Sequence, residues 1–169
     1  ALLPQGIRLG SHDDATKPQR DRWHARGVGI AEFPETLEAA EAAKATGDFV
    51  VLGAPNVVRG GSHKGNVSAI DLVTLGLADA IASDYHYPRP RRAAVMLHKR
   101  GLLSLVDAWH LGSAGPAAVL GLDDRGTLEL GKRADIVILD PKTERVAATL
   151  VEGRFSYLSG DIADRFLPA

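Results

Sequence analysis

The sequence predicts an α/β protein built on a parallel sheet, and three observations carry this. Four short runs of β-branched and aliphatic residues each end in a polar cluster. Helix-like segments fill the gaps, giving the order β-α-β-α-β-α-β that a parallel sheet with crossover helices requires. The polar residues at the run ends, His12, Glu32, Asn56 and Asp84, are spaced 20, 24 and 28 residues apart, a normal repeat for βα units.

Ile7 to Leu9 reads as the first strand and runs into Gly10-Ser11-His12-Asp13-Asp14. Lys17 to Arg26 is a polar helix stopped by Gly27. Val28 to Ala31 is the second strand, followed by Glu32-Phe33-Pro34. Thr36 can cap a helix to Thr46, with Glu38 in its first turn and Gly47 at its end. Phe49 to Leu52 is the third strand; the stretch from Gly53 to Asn66 reads as a glycine-rich loop. Ser68 to Leu75 is a helix, and Ala80 to Ala82 is the fourth strand, ending in Ser83-Asp84-Tyr85-His86. Pro88 and Pro90 mark a loop, and helices follow over Arg92–Arg100, Ser104–Leu111 and Gly115–Leu120. Beyond a turn-rich stretch come an apolar strand, Ala134–Leu139, and a hairpin of Val146–Val151 and Arg154–Tyr157 around Glu152-Gly153. Two domains are expected, 1–120 for the parallel sheet and 121–169 for a small β addition.

Composition narrows the function. Lys and Arg number 20 against 21 Asp and Glu, so bulk charge points to neither a nucleic-acid nor a membrane-surface partner. The absence of cysteine excludes disulfides, thiolate zinc sites and a Cys nucleophile. No apolar run approaches the roughly 20 residues of a membrane helix.

Parallel strands end at one edge, so the four polar clusters should converge there, at the edge where β/α barrels carry their chemistry. A neutral imidazole at His12 suits a divalent metal, with Asp13 and Asp14 placed to orient it or to act as acids and bases. Asp84 can ligate a metal and also take a proton from water. Glu32 stands at the same edge as a metal ligand, an acid, or a partner for Arg59. The run Asn56-Val57-Val58-Arg59-Gly60-Gly61-Ser62-His63-Lys64-Gly65-Asn66 has three glycines that can turn N–H groups toward an anion. Arg59 and Lys64 add charge; Ser62, His63 and Asn66 add donors. This suits a polyanionic substrate. Gly126 to Lys132 has the spacing of a nucleotide-binding P-loop, but Arg133 follows where Ser or Thr is needed, and the run precedes a strand, so it reads as a turn.

These residues, with the tail Gly131-Lys132-Arg133-Ala134-Asp135-Ile136-Val137-Ile138-Leu139-Asp140, resemble the metal-dependent amidohydrolase superfamily. Ser11–Asp14, Ala31–Pro34, Gly53–Asn66 and Ser83–Tyr85 together resemble its branch acting on triphosphorylated ribosyl phosphonates in the carbon–phosphorus lyase pathway. The resemblance implies the C-terminal half of a TIM-like (β/α)8 metal-dependent hydrolase barrel plus part of a small β domain. It implies a divalent metal, zinc first, with manganese or iron as alternatives. It makes His12 and Asp84 metal ligands, Asp84 also the base, and Glu32 a further ligand where the superfamily often has a histidine. It makes Asn56, Arg59, Gly60, Gly61, Ser62, His63, Lys64 and Asn66 the phosphate-binding set, with Tyr85 nearby. The substrate would be a phosphorylated sugar phosphonate, hydrolysed to pyrophosphate and the 5-phosphate in the cytoplasm. The N-terminal half of the barrel is the expected partner, and a homo-oligomer is compatible. Two other readings stay open: an amidohydrolase acting on an amide or cyclic amide, and a non-catalytic fragment.

Overall fold

The computed structural model describes residues 6–60 and 67–166. The chain divides into two compact units, Ala1–Gly121 and Leu122–Ala169.

In the first unit four short strands form a parallel sheet in sequence order: β1 (Gly10–His12), β2 (Ile30–Glu32), β3 (Phe49–Gly53) and β4 (Ala80–Ala82). Two helices connect the first three, α1 (Lys17–His24) and α2 (Leu37–Ala45). Thr16 and Thr36 cap them by accepting from the N–H groups of Gln19 and Ala39. Two more, α3 (Ala54–Arg59) and α4 (Ala69–Thr74), lie between β3 and β4. After β4 come α5 (Arg89–Lys99), α6 (Leu105–His110) and α7 (Ala114–Leu120).

Strand alternation separates two apolar clusters. Val50 and Leu52 join Ala40, Ala43, Val57, Leu72, Ala94 and Leu97 in the main core, which places α2 to α5 on that face. Val51 and Ala80 point the other way, toward Val119 of α7, with Ile30, Phe49 and Ala82 half-buried beside them. The sheet is thus covered unequally, densely on one face and by few side chains on the other.

The first two strands begin later than Ile7 and Val28 predict. Each takes in the first polar residue of its following cluster, so His12 and Glu32 are strand residues. A larger difference concerns the predicted loop after β3: Ala54 to Arg59 is helical. Pro55 sits in the first turn, where its missing N–H is no loss, and Gly60 closes the helix in the left-handed conformation at φ 76°. The glycines to its right and the β-branched Val57-Val58 obscured this short helix in the sequence.

The second unit is a three-stranded antiparallel sheet, β5 (Ile136–Leu139), β6 (Val146–Val151) and β7 (Arg154–Leu158), followed by α8 (Asp161–Phe166). The hairpin turn at Glu152-Gly153 has positive φ at both residues, the signature of a tight two-residue turn. No helix among the described residues is long and apolar enough to cross a membrane.

Candidate active site at the sheet edge

His12 and Glu32 are direct partners across β1 and β2, so both lie at the C-terminal edge of the sheet. The backbone seals this corner: the Asp13 N–H donates to the Glu32 carbonyl at 3.0 Å, and the Phe33 N–H to the Val51 carbonyl at 2.9 Å. The His12 Nδ1 lies 2.8 Å from Asp13 Oδ2, and its ring meets Phe33 edge-on at 5.0 Å. A ring whose Nδ1–H is held by a carboxylate presents Nε2 as its lone-pair nitrogen, the arrangement that metal-binding or proton-transferring histidines use.

Three non-glycine residues at this edge adopt the left-handed conformation: Asp13 at φ 57°, Phe33 at φ 55° and Asp84 at φ 53°. They follow the first, second and fourth strands. Asp tolerates this region better than Phe does, and such backbone states cluster where a site dictates side-chain direction.

Ser11 and Asp14 belong to a different environment from their neighbours. Ser11 donates to Asp14 Oδ2, and the buried Arg20 reaches Ser11, Asp14, Asp48 and the Val28 carbonyl. The expectation that Asp14 serves the edge is corrected here: its carboxylate is 1% exposed and bound inward to Arg20. The reason is that α1 delivers a guanidinium beneath the β1 turn.

A pocket of about 120 Å³ opens where the first three strands end, lined in part by Asp13, Phe33, Pro34, Gly53 and Asn56. A Cβ on Gly53 would stand 3.6 Å from Phe33 and 3.7 Å from the Asn56 amide, so the absence of a side chain keeps this end of β3 open. Asn56 and Arg59 are exposed on α3. Gly60 does not present its N–H to an anion as expected, because that N–H donates to the Asn56 carbonyl at 3.2 Å. Gly61, Ser62, His63, Lys64 and Asn66 lie outside the described residues.

Beyond β4, Asp84 and Tyr85 are exposed. The Arg59 Nη2 is 3.5 Å from the Tyr85 hydroxyl. Arg89, which the sequence places in a loop, opens α5 and lies over the Tyr85 ring at 6.0 Å. Its signal was present: arginine in the first turn of a helix opposes the helix dipole.

The edge therefore holds two groups. His12, Asp13 and Glu32 come together on β1 and β2; Asp84, Tyr85, Arg59 and Arg89 gather beyond β3 and β4. Across a flat sheet the first and fourth strands are about 14 Å apart, from a spacing of about 4.8 Å. Among the described residues no three His, Asp or Glu side chains are close enough to hold a metal ion. The donors suit a divalent cation in kind, and the described residues do not by themselves assemble a complete site.

Comparison with known proteins decides the family. Residues 71–157, just over half of the chain, match the amidohydrolase family. The chain belongs to that family. The α-D-ribose 1-methylphosphonate 5-triphosphate diphosphatase of Escherichia coli is 45% identical over 142 residues, covering 83% of this chain and 38% of that protein. The N-acetylglucosamine-6-phosphate deacetylase of Pasteurella multocida matches at a TM-score of 0.69 and 14% identity, covering 91% of this chain and 52% of the other. The 5-methylcytosine deaminase of Klebsiella pneumoniae matches at 0.67 and 17% identity, covering 94% and 50%. These two likenesses establish the amidohydrolase-type fold of the chain: a parallel α/β sheet joined in sequence to a small antiparallel one. The chain spans 38% of the diphosphatase and about half of the solved chains it matches. Amidohydrolases are generally metal-dependent, which agrees with the donor types at the edge.

Proposed function

We propose that this chain carries part of the active site of a phosphoanhydride hydrolase. Its substrate is a ribosyl phosphonate bearing a 5-triphosphate, and its products are pyrophosphate and the 5-phosphate. The observation that carries this reading is the 45% identity to the E. coli diphosphatase across 83% of the chain. A match that long necessarily spans Glu32, Arg59 and Asp84.

The residues supply chemistry that fits. Asp84, exposed at the end of β4, is the proposed base that accepts a proton from the attacking water. Arg59 provides a planar fork of donors for phosphate oxygens, whose negative charge is redistributed as the anhydride breaks. Asn56, beside the pocket, supplies an amide for a sugar hydroxyl or phosphate oxygen. Asp13 holds the His12 ring in one orientation. His12 and Asp84, with Glu32 as a third candidate, would hold the divalent cation, zinc or alternatively manganese or iron. When bound, that cation supplies Lewis-acid stabilisation of charge on oxygen. A cytoplasmic setting accompanies this reading.

A substrate comparison tests it. The full-length protein containing this chain, supplied with zinc, manganese or iron in turn, is offered the ribosyl triphosphate and a panel of cyclic amides. Turnover of the triphosphate and not of the amides is expected. Turnover of the amides alone would overturn the reading in favour of an amide-opening enzyme.

A further inference from the structure

Arg89 is absent from every role assigned above, yet its position is specific. Its guanidinium carbon lies 6.0 Å from the centre of the Tyr85 ring, and its Nη1 donates to the Pro55 carbonyl at 3.4 Å. The side chain is half-buried, so its stem is anchored while its head stays near solvent. Tyr85 is 66% exposed, and its hydroxyl is 3.5 Å from Arg59 Nη2. One tyrosine thus touches two guanidinium groups delivered by two different helices, α3 and α5. A third arginine, Arg100, lies close to Gly60, where an added Cβ would be 3.4 Å from its Nη1.

This arrangement has an electrostatic cost without an anion. Two cations held on either side of one ring repel each other. The first turn of α5 worsens the balance, because Arg89, Arg91 and Arg92 sit there with no acidic residue. A cation over an exposed aromatic ring returns only about 0.5–1 kcal/mol. The chain as a whole carries a net charge of −1, so this concentration is local.

We propose that Arg89 is a phosphate-binding residue, held over Tyr85 so that it and Arg59 grip successive phosphates of one polyphosphate; this rests on the diphosphatase reading above. One guanidinium fork satisfies one carboxylate or one phosphate group. Two forks from separate helices need a ligand with oxygens on more than one centre, which a linear polyphosphate offers and orthophosphate does not. Tyr85 is a positioning residue, with its ring under one arginine and its hydroxyl against the other.

The test is calorimetric binding of sodium tripolyphosphate and of inorganic phosphate to the full-length protein, with the same divalent metal in cell and syringe. The proteins are wild type, R89A, R89K and Y85F, each checked by thermal melting. Wild type should bind tripolyphosphate more tightly than orthophosphate. R89A should weaken tripolyphosphate by about tenfold or more, the scale of a lost charge-assisted contact, and leave orthophosphate within about twofold. R89K, which keeps charge but not the fork, should fall between. Y85F should lower the preference for tripolyphosphate without lowering the melting temperature. Unchanged tripolyphosphate affinity in R89A would overturn the role of Arg89 and leave the diphosphatase reading standing. Equal loss for both anions with a lowered melting temperature would make Arg89 structural and also overturn it. A wild-type protein that ignores tripolyphosphate would count against the diphosphatase reading itself, and this inference would fall with it.

Discussion

Arg20 and Asp14 form a sealed ion pair, Nη1 to Oδ2 at 3.0 Å, with the side chains 0% and 1% exposed. The pair splits the Ser11-His12-Asp13-Asp14 cluster in two. Ser11 and Asp14 face inward and fix the turn, while His12 and Asp13 face outward. Arg20 also lies 3.2 Å from Asp48, whose other oxygen meets His24 at 2.9 Å. Replacing Arg20 by Met would strand two buried carboxylates, so R20M should destabilise the protein by about 3–5 kcal/mol in urea unfolding. A loss below about 1 kcal/mol would show that the pair does not support the turn.

Asp84 invites a clean test because of its backbone. At φ 53° it occupies a region that Asn also tolerates. D84N should therefore fold normally and remove only the carboxylate. In the full-length protein it should lower kcat by about 10²–10⁴-fold with little change in KM, the range for loss of a general base. An unchanged kcat would remove Asp84 from the chemistry.

Gly115 has a purely packing role. A Cβ there would lie 2.0 Å from the Asp79 carbonyl and 3.0 Å from that of His110, both backbone atoms. Asp79 in turn accepts from Lys44 at 2.6 Å and from the Val50 N–H at 2.7 Å, joining α2 to β3. G115A must displace backbone, and its melting temperature should fall by an amount matching about 3 kcal/mol, the upper end of overpacking costs. A melt like that of wild type would show that α7 can shift freely.

Acid should weaken the small antiparallel unit through Asp135. The Glu152 N–H donates to its carboxylate and the Arg133 guanidinium lies beside it, and both hold its pKa below the ordinary 3.8. A lowered folded-state pKa stabilises the protein fully above the ordinary value, and that stabilisation is lost as pH falls below it through the depressed value. Hydrogen exchange of the β6–β7 hairpin should therefore accelerate below about pH 4. D135N should already exchange faster at neutral pH and respond less to acid. Identical profiles for the two proteins would contradict this.

Much of the architecture was legible because parallel strands and crossover helices leave strong local marks. Thr36, Glu38 and Gly47 framed α2, and Ala80–Ala82 matches β4 residue for residue. The short α3 was not legible, since two turns of helix carry little periodicity and its proline and glycines read equally well as a loop. At the site, the shared edge of His12 and Glu32 followed from strand spacing. The inward turn of Asp14 did not, because it depends on Arg20, a basic residue in a polar helix whose burial no pattern announced. Arg89 was hidden likewise, since the proline on either side suggested a loop where α5 begins.

The central claim is that this amidohydrolase family member acts on a phosphoanhydride. Phosphorus NMR of the products formed by the full-length protein from the ribosyl 5-triphosphate tests it most directly. The account predicts one pyrophosphate for each 5-phosphate sugar formed, and no orthophosphate in the first turnovers. Release of orthophosphate alone, or an unchanged triphosphate in the presence of each of the three metals, would contradict it.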